Sequence, residues 1–250
     1  MRQSKLLSLL LAVLTALAVL AGAVAVPILC RPFYYAQIGP LGLEAYTGLT
    51  EDQIRQAYDE VLDYCTGLTE EFSAGVLPFS DSGASHFADV RGLFLLDLGA
   101  LAGSLIALAA VILLCRRRVR PQPLLGRGPG FWGACGLGAA FLAVGGLAAL
   151  DFNRAFTVFH ALFFPGKTNW IFDWRTDPVI LILPQDFFRN CALLALALIL
   201  LWCAVLIAAD LLAAAARRRA GACAGAESRE QRAESRVKSG EWRYEIGDMR

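Results

Sequence analysis

Apolar positions along this chain gather into long blocks separated by mixed, charged connections. Residues 6–29 carry no charged side chain, 93–115 only Asp97, 131–150 none and 191–216 only Asp210. A helix needs about 20 apolar residues to cross roughly 30 Å of hydrocarbon at 1.5 Å per residue. The pattern therefore predicts an all-α integral membrane protein with four transmembrane helices. It also divides the chain into a transmembrane domain, 1–216, whose longer connections are 30–92 and 151–190, and a tail, 217–250, where charge, Gly, Ala and Ser predict disorder.

The net charge of +1 matters less than its placement. Arg2 and Lys5 precede the first block, Arg116, Arg117, Arg118, Arg120 and Arg127 lie between the second and third, and Arg217, Arg218 and Arg219 follow the fourth. By the positive-inside rule these segments and both termini are cytoplasmic, which places 30–92 and 151–190 on the extracytoplasmic side. Ala23-Val24-Ala25 after an apolar run also has the form of a signal-peptide cleavage site, although the block continues to Leu29; either way both connections stay outside. Because the basic residues flank spans, no nucleic-acid partner is expected. Of the seven cysteines, only Cys30 and Cys65 are placed to meet in an oxidising compartment; Cys115, Cys135, Cys191 and Cys203 lie in or beside spans and read as small apolar residues.

The first connection contains a soluble element. Thr50-Glu51-Asp52-Gln53 reads as a capping box, and Ile54, Ala57, Tyr58, Val61, Leu62 and Cys65 recur at helical spacing behind it. The expected amphipathic helix can pack on the spans, lie on the outer leaflet or close over a site. In the second connection nothing breaks the pattern between Asp151 and Phe164, so the third span is expected to run on outward until Pro165-Gly166 stops it.

Candidate chemistry centres on two histidines, His86 and His160, one in each outer connection. A helix starting near Ser85 places His86, Asp89, Leu93 and Asp97 within about one stripe. Asp89 then stands where it can orient the imidazole, and Asp97 either faces a polar cavity or reaches water from one turn below the interface. Beyond the third span, Phe152, Phe156, Phe159 and Phe163 form one stripe, and Asn153, Thr157, His160 and Phe164 a second beside it. That reads either as an apolar wall beside a proton-handling group or as an aromatic interface belt with one satisfied histidine. Farther on, Trp170 and Trp174 suit a membrane surface, and Asp173, Arg175 and Asp177 suit either a headgroup clamp or simple mutual pairing.

The segment His86-Phe87-Ala88-Asp89-Val90-Arg91, together with Phe156, Phe159, His160 and Phe163, then Trp170, Asp177-Pro178 and Ile182-Leu183-Pro184, resembles the bacterial family of lipoprotein intramolecular transacylases (Lit). The resemblance covers about residues 1 to 215; Arg91 stands where a lysine is expected. It implies a bacterial cytoplasmic-membrane enzyme that moves a fatty acyl chain from the sn-2 ester of a diacylglyceryl-cysteine lipoprotein to that cysteine's α-amine, giving the lyso form. It also implies His86 and His160 as the catalytic pair; Asp89, Arg91, Asp97, Asn153 and Thr157 are read from their positions as supporting or orienting residues. Substrate or interface contacts would come from Phe156, Phe159, Phe163, Trp170, Asp173, Trp174, Arg175 and Asp177.

The residues suit this chemistry independently. An attacking amine must lose a proton and a leaving alkoxide must gain one, and an imidazole with a pKa near 6.5 serves both near neutrality. No metal or other cofactor is required, and the expected partners are the diacylated lipoprotein and membrane lipid. One alternative is a non-enzymatic membrane scaffold with an outer-face partner site. Another is a metal-dependent hydrolase using both histidines with Asp89 or Asp97, although no H-E-x-x-H spacing supports it.

Overall fold

The computed structural model describes residues 2–115 and 119–247, with side chains over 4–113 and 121–236. It is almost wholly helical. Four helices are long and apolar enough to span a membrane: α1 (Lys5–Leu29), α5 (Asp81–Cys115), α6 (Pro129–Leu150) and α9 (Gln185–Gly247). Short helices fill the connections: α2 (Arg31–Ile38), α3 (Leu43–Thr47), α4 (Glu51–Cys65), α7 (Phe152–Phe163) and α8 (Val179–Ile182). A small parallel ladder pairs β1 (Arg2–Ser4) with β2 (Val119–Pro121), which brings the N-terminus and the α5–α6 connection to one end of the bundle. The connections containing α2 to α4 and α7 to α8 lie at the other end.

The span faces are built from small residues. Apolar side chains gain little by leaving lipid for one another, so close packing of backbones carries helix association in a membrane. Ala21, Ala23 and Ala25 of α1 are buried, and α1 packs along both α5 and α6. A Cβ on Gly133 of α6 would stand 2.7 Å from the Ala12 carbonyl oxygen, and one on Gly145 would stand 2.6 Å from Leu196 of α9. Leu96, Leu147 and Leu193 point outward and are exposed, as lipid-facing residues are.

The aromatic core lies beyond the spans, in a cap built from the two longer connections. Thr50 and Gln53 close the expected capping box, and Ile54, Ala57, Tyr58, Val61, Leu62 and Cys65 of α4 are all buried. They meet Tyr34 and Ile38 of α2, Leu43 of α3, Val179 and Ile182 of α8, Phe87 of α5 and Phe187 of α9. Tyr34 stacks on Tyr58 at 3.7 Å and meets Phe187 edge-on at 5.1 Å. Its hydroxyl donates to the Ile182 carbonyl at 2.7 Å, joining the two connections. At the rim, the Arg31 guanidinium pairs with Asp59 and Asp63 of α4. The amphipathic helix is thus packed within the cap. Cys30 and Cys65 are both free thiols, one exposed and one buried, and form no bridge.

Three boundaries differ from expectation. α5 begins at Asp81, earlier than the Ser85 start read from sequence, because Ser80 caps it: the Ser80 Oγ accepts from the Gly83 amide at 3.0 Å. Its 35 residues reach about 52 Å, so roughly the first twelve project beyond the hydrocarbon. The third span does not continue through the cap. Asp151 leaves helical geometry at φ −156° and its carboxylate accepts from the Arg154 amide at 2.9 Å, ending α6 and starting α7 in a new direction. Beyond Leu206 lies a second compact unit, 207–250. There α9 continues to Gly247 where disorder was expected, in a stretch rich in Ala, Arg and Glu, all strong helix formers.

Tyr34→Phe keeps the ring packing and strips the buried Ile182 carbonyl of its donor. We expect a loss of about 1–3 kcal/mol, read as a lower thermal midpoint in detergent, with the fold intact by circular dichroism.

Candidate active site

The first turns of α5 and the last turn of α7 bring the two histidines together. Their ring centroids lie 5.9 Å apart with a 31° tilt, and each residue is 6% exposed. Phe164, just past α7, touches both rings, at 5.1 Å from His86 and 5.7 Å from His160. Phe172 stands edge-on to His86 at 5.4 Å. Trp170 stacks on His160 at 4.4 Å, and Phe156 lies tilted to that imidazole at 4.3 Å. The imidazoles therefore sit in an aromatic chamber whose walls come from α7 and the loop that follows it.

Local chain geometry sets the ring of His160. Its Nδ1 stands 2.8 Å from the Phe156 carbonyl oxygen one turn back. A carbonyl only accepts, so Nδ1 carries the proton and Nε2 keeps a free lone pair. The Nδ1 of His86 is buried without a hydrogen-bond partner among the described residues. Burial first, then the neighbouring His160, lowers the His86 pKa to about 4, with Asp89 pulling the other way. Burial also lowers His160, opposed by its bond to Phe156. Both rings are thus neutral at pH 7, each holding one N–H and one lone pair.

Asp89 does not hydrogen-bond His86. Its Oδ1 pairs with the Lys167 ammonium, and its Oδ2 accepts from Asn169 Nδ2 at 3.1 Å. Burial pushes the Asp89 carboxyl up, and the bonds from Lys167 and Asn169 outweigh it, leaving it below the usual carboxylate range.

Asp177 is likewise no headgroup clamp. It is 4% exposed and accepts from the Ser80 amide at 2.8 Å, from the Ser80 hydroxyl at 2.8 and 3.0 Å, and from Thr176 Oγ1 at 2.8 Å. It therefore ties the loop carrying Trp170 and Phe172 to the start of the His86 helix. Gly83 completes this junction: a Cβ there would stand 2.2 Å from Asp177 Oδ1 and 3.3 Å from Phe172.

Of the remaining expected residues, only Phe159 and Phe163 border the chamber. The Arg91 guanidinium donates to the Thr69 carbonyl at 2.8 Å and lies over the Tyr64 ring, bracing the first connection. Asp97 stands about 16 Å farther along α5 than His86, within the span. Asn153 and Thr157 are exposed, and Thr157 Oγ1 donates back to the Asn153 carbonyl. Phe159 and Phe163 pack together at 4.6 Å, with Phe159 edge-on to His160 at 5.5 Å. Asp173 accepts from the Arg175 amide in a local turn, while Arg175 lies over the exposed Trp174 ring. Conversely, Ser80, Gly83, Lys167, Asn169 and Phe172 join the site without having been singled out from sequence. Lys167 reaches Asp89 across 78 positions, a pairing that no local spacing signals. Among the described residues no group of three His, Cys, Asp or Glu could hold a metal ion.

The family profile for the lipoprotein intramolecular transacylase Lit matches residues 9–188. Among solved structures, the chain is similar to the membrane-integral lipoprotein intramolecular transacylase Lit from Bacillus cereus. The TM-score is 0.75 at 22% identity, covering 86% of this chain and 97% of that one. Two variants of that protein, one with a histidine replaced by arginine and one by alanine, each give a TM-score of 0.70 at 22% identity. They cover 87% and 86% of this chain and 94% and 95% of their own. At this identity the likeness speaks for the fold. No curated protein matches the chain.

Two measurements check this geometry. Followed by NMR, His86 should titrate near pH 4 and His160 below 6.5; a ring titrating at or above 6.5 contradicts the neutral pair. Because the unfolded chain takes up protons near 6.5 that the folded site refuses, these groups should cost stability progressively as pH falls from about 6.5 toward 4. Gly83→Ala should displace the Asp177 carboxylate or Phe172, lowering activity at least tenfold and quenching or shifting the Trp170 emission.

Proposed function

The chain belongs to the lipoprotein intramolecular transacylase family, whose reaction is an intramolecular acyl transfer in lipoprotein maturation. On that premise we propose that His86 and His160 carry the transfer, moving an acyl chain from the sn-2 ester of a diacylglyceryl-cysteine to the same cysteine's α-amine. Contact between two buried, neutral imidazoles inside an aromatic chamber is the observation that supports this reading.

The proton inventory follows from the ring states. His160, with Nδ1 engaged by the Phe156 carbonyl, offers Nε2 as the base that takes a proton from the amine as its nitrogen attacks the ester carbonyl carbon. The carbon–oxygen bond to the glycerol then breaks, and the imidazolium returns that proton to the departing sn-2 oxygen. The products are an amide and a free hydroxyl, so no proton is gained or lost overall. His86, whose low pKa makes it a poor base at neutrality, donates its N–H to the carbonyl oxygen as negative charge develops there. Because amine and ester belong to one molecule, holding them in attack geometry is worth up to about 7–11 kcal/mol, and the chemistry needs no metal. The aromatic walls from Phe156, Phe159, Phe163 and Trp170 provide the apolar surface beside which acyl chains lie.

In this reading the cap faces the extracytoplasmic side, where mature lipoproteins present their N-termini. The basic connection between α5 and α6 and both chain ends are cytoplasmic, with 1–216 as the catalytic transmembrane domain and 217–250 as a cytoplasmic extension.

Cells lacking the protein and supplied with His86→Asn or His160→Asn should retain diacyl lipoproteins, while wild type converts them to the lyso form. Mass spectrometry of lipopeptides reads the difference. Conversion by either variant at more than about a hundredth of the wild-type rate contradicts the assignment, since removing a positioned acid or base costs roughly 10²–10⁴-fold.

A further inference from the structure

One charged cluster beside the histidines is not used by the chemistry above. Asp89 lies one turn after His86 on α5, and its carboxylate holds the Lys167 ammonium on one oxygen and Asn169 Nδ2 on the other. Asn169 also reaches Ser85 Oγ at 3.4 Å, yet its own Oδ1 is buried without a donor. The corner thus presents a carboxylate held by Lys167 and Asn169 beside an amide oxygen that has no donor among the described residues. An ammonium group, with three N–H donors and one positive charge, is the complement of such a corner. Lys167 supplies an ammonium already, but from a side chain 49% exposed to solvent, whereas the Asp89 side chain is only 20% exposed. The cation is the more exposed partner and the anion the more buried one.

We propose that Asp89 and Asn169 form the subsite that receives the substrate's primary α-ammonium, and that Lys167 is an internal placeholder which the substrate displaces into water. This rests on the reading of the protein as an acyl transferase to an N-terminal amine. The exchange swaps one ammonium for another on the same carboxylate, so the corner never holds an unpaired charge. That avoids the heavy penalty for exposing a partly buried carboxylate to an apolar chamber. It also gives the enzyme a means of refusing lipoproteins whose amine is already acylated: an amide brings no charge and cannot displace Lys167. The seated ammonium stands one helical turn from His86 and gives one proton to water before its nitrogen attacks, so that the neutral amine enters the transfer described above.

Binding separates this from catalysis. Two dialkyl-ether glyceryl-cysteine peptides, one with a free α-amine and one N-acetylated, cannot undergo transfer because they lack the ester. Measured with fluorescent versions on the full-length protein in nanodiscs, wild type should bind the free-amine form about tenfold or more tightly, as a charge-assisted hydrogen-bond set would give. Asp89→Asn should bring that ratio near one while the N-acetyl peptide binds as before, which also reports an intact fold. Lys167→Met should tighten the free-amine form several-fold and leave the N-acetyl form unchanged. Equal binding of both peptides by wild type, a preference retained by Asp89→Asn, or an unchanged affinity in Lys167→Met overturns the proposal. Should Asp89→Asn bind neither peptide, the Lys167→Met result decides alone. If wild type prefers the free amine but does not convert a diester lipopeptide, the transferase reading fails and the ammonium subsite stands.

Discussion

The carboxylate of Asp177 is the point on which the site depends. It is buried at the junction of the two cap segments, and its acceptors are met by the amide and hydroxyl of Ser80 and the hydroxyl of Thr176. Burial alone raises its pKa, yet these donors bring it below the usual range, so it stays ionised where it is. Because Ser80 is also the residue that starts α5, one set of hydrogen bonds fixes both the beginning of the His86 helix and the loop that presses Phe172 and Trp170 onto the imidazoles. Gly83 leaves the space this requires.

That junction lies in the cap for a physical reason. Within lipid, helices gain little from hiding apolar side chains, and the spans associate through alanine and glycine faces that allow backbones to approach. Where the chain emerges from hydrocarbon, burial of large side chains becomes favourable again, and the tyrosine and phenylalanine core of α2, α4, α8 and the neighbouring helix ends forms there. Against that core both imidazoles are buried. Burial sets the electrostatics: it disfavours imidazolium at both histidines and leaves a neutral pair near physiological pH. Charge is confined to the adjacent corner, where Asp89 and Lys167 compensate each other.

Much of the frame was legible in the sequence. Block length predicts the spans, the Thr50 to Gln53 box and its periodic apolar residues predict α4, and the six positions read as its buried face are buried. The two histidines stand out by their scarcity and by their place beyond the spans. Helical spacing failed where a side chain made a longer-range choice. Asp89 is at the correct spacing to reach His86, yet it bonds instead to Lys167 and Asn169, which arrive from the loop after α7. Asp151 is compatible with a continuing helix by composition, yet it caps α7 and turns the chain. Asp97 shares a stripe with His86, but the eleven positions from one to the other put it about 16 Å farther along the axis.

Sequence by itself thus determined the number and order of the membrane helices, the basic character of the α5–α6 connection and the presence of one histidine in each of the two longer connections. These follow from local hydropathy and charge, which act along the chain without reference to distant residues. Tertiary structure decided that the histidines meet, which aromatic rings enclose them and which cation sits on Asp89. Those outcomes depend on how a loop folds back across a helix start almost a hundred positions away. Short-range periodicity cannot encode such a return; it is set by the buried hydrogen bonds and close contacts that the folded cap alone supplies.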